Sequence, residues 1–280
     1  MKQLRISAIS YLNTAPLMWD FEHGHTDARS AFEISYTIPS QCARSLREGS
    51  ADIGIIPVAA YASIPDLAIL PGVAIASRQA VRSILLVSKV PLEKIQTVAL
   101  DTSSMTSVAL TKVLFAKWWG GGRTFTAMAP DVEKMLELHD AGLVIGDPAL
   151  KIDCSRYLTF DLAEEWIRFT GKPFVFAFWA VRQAALTDAP RDLDLATVFQ
   201  ESRDHGLQPE NLNRITREWS ARLDLDEGRI KRYLTENIHY SLDPACIDGM
   251  RLFYQFACEC GALPSAPPQY FLDVAKSAVI

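Results

Sequence analysis

The chain has 280 residues, 49% apolar and 22% charged, with 14 Gly and 15 Pro. That mix excludes a disordered chain, a collagen, a coiled coil and a disulfide-framed miniprotein, and at roughly 150 residues per domain it suggests two domains or one large one. Twenty-eight Lys and Arg against 33 Asp and Glu give a net charge of −5, so there is no global field for nucleic acid or an anionic membrane, while a local site for a small anion stays open.

The N-terminal two thirds alternate short β runs with helical stretches. Leu4 to Ile9 reads as a strand, and Phe32 to Ile38 alternates at period two. Ser40 is a plausible N-cap for a helix with Cys42, Ala43 and Leu46 on one face, ending at Gly49. Asp52 to Pro57 is a buried strand, so the order is β-α-β and implies a parallel sheet with a right-handed crossover. Leu67 to Ser88 is a continuous strand-like run that could pass from one lobe to another. Thr97 to Asp101 opens a second β-α-β set. It leads through a Ser/Thr-rich turn into a helix carrying Val108, Val113, Leu114 and Trp118. A capped helix from Asp131 to His139 and strands at Leu143–Asp147, Tyr157–Leu162 and Phe174–Val181 follow. Beyond Pro190 helical periodicity takes over, most clearly after the Asp243–Pro244 cap and up to Gly261. The fold class expected is α/β, a two-lobed clamshell with a helical C-terminal region. Residues 1–88 plus 182–280 form one lobe, 89–181 the other, and a ligand cleft lies between them.

The five cysteines, Cys42, Cys154, Cys246, Cys258 and Cys260, form no CxxC pair and read as free thiols in a reducing cytosol. No segment reaches the ~18 apolar residues of a membrane span. The opening MKQLRISAISYLNTAPL lacks the clean apolar stretch of a signal peptide, so a cytoplasmic protein is expected. No dinucleotide, P-loop, HExxH or GxSxG motif occurs. His23 and His25 lack a third ligand at metal spacing, and His139, His205 and His239 stand alone. No metal and no cofactor is expected, and oligomeric state is left open.

Ligands sit at the C-terminal ends of parallel strands in open α/β sheets. Polar loops occupy those places here. The turn Asp101 to Ser107 opens a helix, whose free N–H groups and partial positive charge suit a carboxylate. Ser104, Thr106 and Ser107 would add hydroxyl donors, or would serve only as redundant caps. Asn13 could orient a hydroxyl or carboxylate, or form an Asx turn. Arg78 and Arg82, four apart in the strand-like run, would face the same side and suit bidentate carboxylate binding or a surface ion pair. Asp147 could be a catalytic acid, a ligand contact or a cap for Pro148–Leu150. Tyr11, Ser40, Ser77 and Gly146 complete the ligand-facing set by their places in these loops.

Tyr11-Leu12-Asn13-x-x-Pro16-Leu17 after the first strand resembles the opening motif of the chorismate dehydratase family of menaquinone biosynthesis, which acts in the futalosine route. Four more pieces match in order: Ser77-Arg78 with Val81-Arg82-Ser83-Ile84; Asp101-x-x-Ser104-x-Thr106-Ser107; Ile145-Gly146-Asp147-x-Ala149-Leu150; and Asp161-Leu162 with Trp166 and Thr170-Gly171-x-Pro173-Phe174. The resemblance runs on to Tyr240 and the last helices. Related cyclases of the same route are expected to carry isoleucine-histidine-glutamate where this chain has Ile145-Gly146-Asp147. The resemblance implies the fold of type II periplasmic binding proteins and the loss of water from chorismate to give 3-[(1-carboxyvinyl)oxy]benzoate, without a cofactor. It implies that Ser104, Thr106 and Ser107 hold one carboxylate, Ser77 or Arg78 the other, and that Asn13 orients the reacting edge. Asp147 suits an acid better than a base, and the proton acceptor stays open between a protein group and the substrate's own carboxylate. The competing expectation is a non-catalytic binding protein for a small carboxylate.

Overall fold

The structure is a computed structural model describing residues 3–24, 30–187, 193–265 and 267–272. Its strands, in chain order, are β1 (Leu4–Ile9), β2 (Phe32–Thr37), β3 (Ile53–Pro57), β4 (Leu67–Ser77), β5 (Ile84–Ser88), β6 (Thr97–Asp101), β7 (Thr124–Met128), β8 (Ala141–Ile145), β9 (Leu158–Asp161) and β10 (Phe174–Arg182). They form two five-stranded sheets, ordered β2-β1-β3-β10-β4 and β7-β6-β8-β5-β9. In each sheet three neighbouring strands are parallel, and the strand beside them runs antiparallel.

The helices that frame these sheets are α1 (Pro39–Glu48), α2 (Met105–Lys117), α3 (Gly146–Leu150), α4 (Leu162–Thr170), α5 (Leu195–Gly206), α6 (Pro209–Leu223), α7 (Glu227–Arg232) and α8 (Pro244–Glu259). Local chemistry sets their ends. Ser104 caps α2 by accepting the Ser107 amide, and Asp243 caps α8 by accepting that of Cys246, with Pro244 in the first turn. Helix α1 starts differently from expectation. Ile38 is its N-cap and Pro39 its first residue, so Ser40 lies inside the helix. The proline's fixed φ makes it the natural first helical position and displaces the serine from the cap.

Two departures concern the boundary between lobes. The run Leu67 to Ser88 is two strands broken at 78–83, where Arg82 takes a φ of 65°. The break removes the shared strand face on which Arg78 and Arg82 were expected. Instead, the Asp161 carboxylate accepts the amides of Val81 and Arg82 at 3.1 and 2.6 Å. In addition, β5 pairs with β8 and β9, whereas β10 pairs with β3 and β4. Sheet membership therefore divides the chain near 78–83 and 171–173, rather than at 88 and 181.

Strand β10, FVFAFWAVR, is buried along all but its last residue, since both of its edges are paired and helices cover it. This explains its unbroken apolar run. Its Phe174 contacts Trp166 of α4 and Phe253 of α8, and Trp179 contacts Phe199 of α5. One apolar core thus joins both sheets and the helical C-terminal region.

Candidate functional site

A cleft lies between the two sheets, enclosing about 500 Å³ that includes space open to solvent. From the first sheet it is lined by Ile9 at the end of β1, the turn residues Tyr11, Asn13 and Thr14, Pro39 beyond β2 and Pro57 at the end of β3. From the second sheet come Ser83 and Ile84, the α2 cap Ser104 with Thr106 and Ser107 of its first turn, and Ile145 with Gly146. Ile75, Phe176 and Ala177 supply an apolar wall. Polar groups thus converge over an apolar surface at strand ends. A wider recess behind the crossing 78–83 mixes Arg82, Arg229 and Arg232 with Asp161, Glu164, Asp226 and Glu236, beside the apolar residues Leu85, Leu150 and Ile152.

The turn after β1 is fixed from within. The Thr14 hydroxyl contacts the carbonyls of Ile9 and Tyr11 at 2.5 and 2.7 Å. The Asp147 carboxylate of α3 accepts the Leu12 amide at 3.1 Å, tying the second sheet's loop to the first sheet's turn. Burial raises the Asp147 carboxyl to about 6, against the Leu12 amide and the charges of Arg222 and Lys151. Asp147 is not among the residues lining the cleft, whereas its neighbour Gly146 is. Gly146 has a φ of 66°, and a Cβ there would lie 2.8 Å from the Tyr11 ring, so glycine is required both for the turn and for the ring. Burial also raises the Tyr11 hydroxyl, which bonds to Ser103. Ser103 in turn donates its amide and hydroxyl to Asp101 Oδ1 at 2.8 and 2.6 Å. Asp101 Oδ2 is buried with no partner among the described residues, and burial raises this carboxyl too.

The expected hydroxyl cluster is present but its members differ. Ser104 Oγ accepts the Ser107 amide and keeps its own proton for another acceptor. Thr106 Oγ1 is spent across the lobes. It accepts the Ala59 amide at 3.1 Å and donates to the Phe176 carbonyl at 3.2 Å. Tyr11, Asn13, Ser104, Thr106, Ser107 and Gly146 are brought together; Ser40, Ser77 and Arg78 are not lining residues. The Ser77 hydroxyl is fully buried and closes on Gln79, donating to its carbonyl at 2.6 Å and accepting its amide. Arg78 is exposed and pairs with Asp243 at 2.6 Å. Ser83, Thr14 and the wall residues Pro57, Ile75 and Phe176 were not singled out from sequence. Ser83 stood within a quoted motif, yet nothing local distinguishes it. Beneath it, Tyr233 brings its buried hydroxyl within 2.9 Å of Ser83 Oγ, a contact that a separation of 150 positions in sequence conceals.

A profile of the menaquinone biosynthesis family matches residues 4–259. The chain belongs to this family. A similar protein is the chorismate dehydratase of Thermus thermophilus, 29% identical over 278 residues, covering 93% of this chain and 96% of that protein. Among solved structures, the Archaeoglobus fulgidus protein AF1704 superposes with a TM-score of 0.74 at 18% identity, over 93% of this chain and 98% of that one. The alkanesulfonate-binding protein SsuA of Xanthomonas axonopodis pv. citri, bound to MOPS, gives 0.66 at 17% identity over 95% and 96%. The menaquinone biosynthesis family member thus has a periplasmic-binding-protein-like α/β fold of two lobes.

Among the described residues, His239, Asp243 and Cys246 bring ligand-type atoms within 4.8 Å of one another. Two of the three are already bonded to each other, His239 Nε2 lying 2.6 Å from Asp243 Oδ2. Burial drives the Cys246 thiol up to about 12. The Asp243 carboxyl, although burial opposes it, is held down at about 2 by the Cys246 amide, His239 and Arg78. Asp243 is already engaged by an arginine, a histidine and a helix end.

Proposed function

We propose that this chain is a hydro-lyase that removes water from chorismate to give 3-[(1-carboxyvinyl)oxy]benzoate, an early step of menaquinone biosynthesis. One observation carries the reading. In a chain matched to the family over nearly its whole length, hydroxyls and an amide converge on a partly apolar cleft between the lobes. The likeness to a protein named chorismate dehydratase supplies the substrate.

The chemistry asks little of the protein. The C3 hydrogen is acidified through the ring double bond by the ring carboxylate. Its electron pair forms a new ring double bond as the C4–O bond breaks, and the aromatic ring that results drives the step. The proton and hydroxide leave as water. The protein's part is to hold two carboxylates and to place donors where negative charge grows. In this reading Ser104 and Ser107, at the N-terminus of the 13-residue helix α2, bind one carboxylate. Asn13 orients the C3–C4 edge, and the Tyr11 ring and Phe176 bracket the substrate ring. No Asp, Glu, His or Lys is among the described residues lining the cleft. In this reading the enolpyruvyl carboxylate of the substrate takes the C3 proton. Asp147, next to Gly146 and bound to the Leu12 amide, positions the Tyr11–Asn13 turn rather than acting as the acid.

The test is purified protein with chorismate and no added metal, followed by mass spectrometry. Loss of one water to the carboxyvinyloxybenzoate is the expected result. Tight binding of unchanged chorismate by folded protein would instead favour the second reading, a non-catalytic carboxylate-binding protein, which the likeness to SsuA keeps in view.

A further inference from the structure

Helix α7 ends in a π-turn, Tyr233–Asn237, and such turns with one extra residue mark functional positions more often than ordinary helix. This one grips the crossing between the sheets at three points. Gln79 Nε2 donates to the Glu236 carbonyl at 2.5 Å and Asn237 Nδ2 to the Ala80 carbonyl at 2.8 Å. Tyr233, 3% exposed, has its hydroxyl 2.9 Å from Ser83 Oγ. Ser83 and Asn13 both line the cleft, one from each lobe, and the Asn13 side chain lies near the Tyr233 hydroxyl. A single phenol thus sits behind two cleft groups that lie far apart in sequence.

We propose that Tyr233 is a positioning residue, whose buried hydroxyl sets the direction of a hydrogen-bond relay from Asn13 through Tyr233 to Ser83 and so presents the Ser83 proton to the cleft. The proposal rests on the reading that chorismate is dehydrated there.

Proton arithmetic gives the direction. The phenol has one proton and the amide of Asn13 two, while the Ser83 hydroxyl has one proton and two lone pairs. A phenol is a better donor than an aliphatic alcohol, so Tyr233 donates to Ser83 Oγ. Its own oxygen is then free to accept from Asn13 Nδ2. Ser83, having accepted, turns its proton towards the cleft, and Asn13 is left with its carbonyl oxygen for the substrate. Reversing the relay would put an acceptor where Ser83 now offers a donor. A fixed donor in a cleft with an apolar wall needs no reorganisation when charge builds on a substrate oxygen.

The experiment compares wild type, Tyr233→Phe, Ser83→Ala and the double variant in steady-state chorismate dehydration, with melting temperatures as the check on folding. Tyr233→Phe should lower kcat by on the order of 10- to 100-fold, a loss of the size expected for one misaligned donor, with KM within about threefold of wild type. The double variant should be no slower than Ser83→Ala within about twofold, because the two residues act as one unit. A kcat for Tyr233→Phe within about twofold of wild type, or losses that multiply in the double variant, would overturn the relay. If Tyr233→Phe does not fold, Ser83→Cys carries the test. A thiol is a weak donor, so kcat should fall at near-constant KM, and wild-type turnover would overturn the proposal. Wild-type protein inert towards chorismate would overturn the function itself, and the relay with it.

Discussion

At the scale of single residues, Asp147 shows how burial changes a side chain's part. The sequence offered it as an acid, a contact or a cap; in the structure it holds the Leu12 amide and is not among the cleft-lining residues. Its carboxyl is raised by burial from 3.8 to about 6. Between those values the native state binds more protons than the unfolded state. Its contribution to stability is therefore fully present below about 3.8 and is lost as pH rises through about 6. Asp147→Asn, which can still accept from Leu12, should gain in melting temperature relative to wild type as pH rises from about 4 to about 7. A difference independent of pH would contradict the buried carboxylate. Gly146→Ala combines a left-handed backbone with a Cβ 2.8 Å from the Tyr11 ring. It should cost about 1–3 kcal/mol in urea unfolding and, through displaced Tyr11, lower turnover by ~10²-fold. The residues legible from sequence were those on strand ends and helix starts: Tyr11, Asn13, Ser104, Ser107 and Gly146. Ser77 and Arg78 misled because their polar atoms are consumed by Gln79 and Asp243, partners that composition cannot reveal. Ser83 was missed because its importance comes from Tyr233, far along the chain.

At the scale of elements, periodicity placed most strands within a residue or two, since each reports only its own exposure, but it missed β7 and set no bounds for helices α4 to α7. Sheet membership is a long-range property and was not legible. Strands β5 and β10 are continuously apolar and would suit either sheet; only their pairing assigns them. The break at 78–83 is also non-local, because it is held by Asp161 at the end of β9. That carboxylate accepts four amides: Val81 and Arg82 of the crossing, and Ala163 and Glu164 at the start of α4. Asp161→Ala should orphan all four and cost about 3 kcal/mol or more, measured as a lowered urea midpoint. A change under about 0.5 kcal/mol, typical of a surface site, would show that the crossing holds its shape without Asp161.

At the scale of the molecule, the two sheets are joined by two crossings and by polar ties over the cleft. Thr106 bridges α2 to Ala59 and Phe176, Asp147 reaches Leu12, and the π-turn holds 79–83. Helix α8 packs so closely on the second crossing that Gly249 has no room for a Cβ beside the Pro173 carbonyl. The C-terminal helices are therefore part of the frame that sets the lobes' separation. This arrangement leaves a cleft between the two sheets, and that cleft rests on contacts the sequence order hides.

The central claim is that chorismate loses water in the cleft between the sheets. A crystal structure of the protein with bound carboxyvinyloxybenzoate tests it most directly. The account predicts the product between Asn13, Ser83 and Phe176, with one carboxylate at Ser104 and Ser107. Product bound in the recess of Arg82 and Arg229, or a cleft that excludes it, would contradict the account.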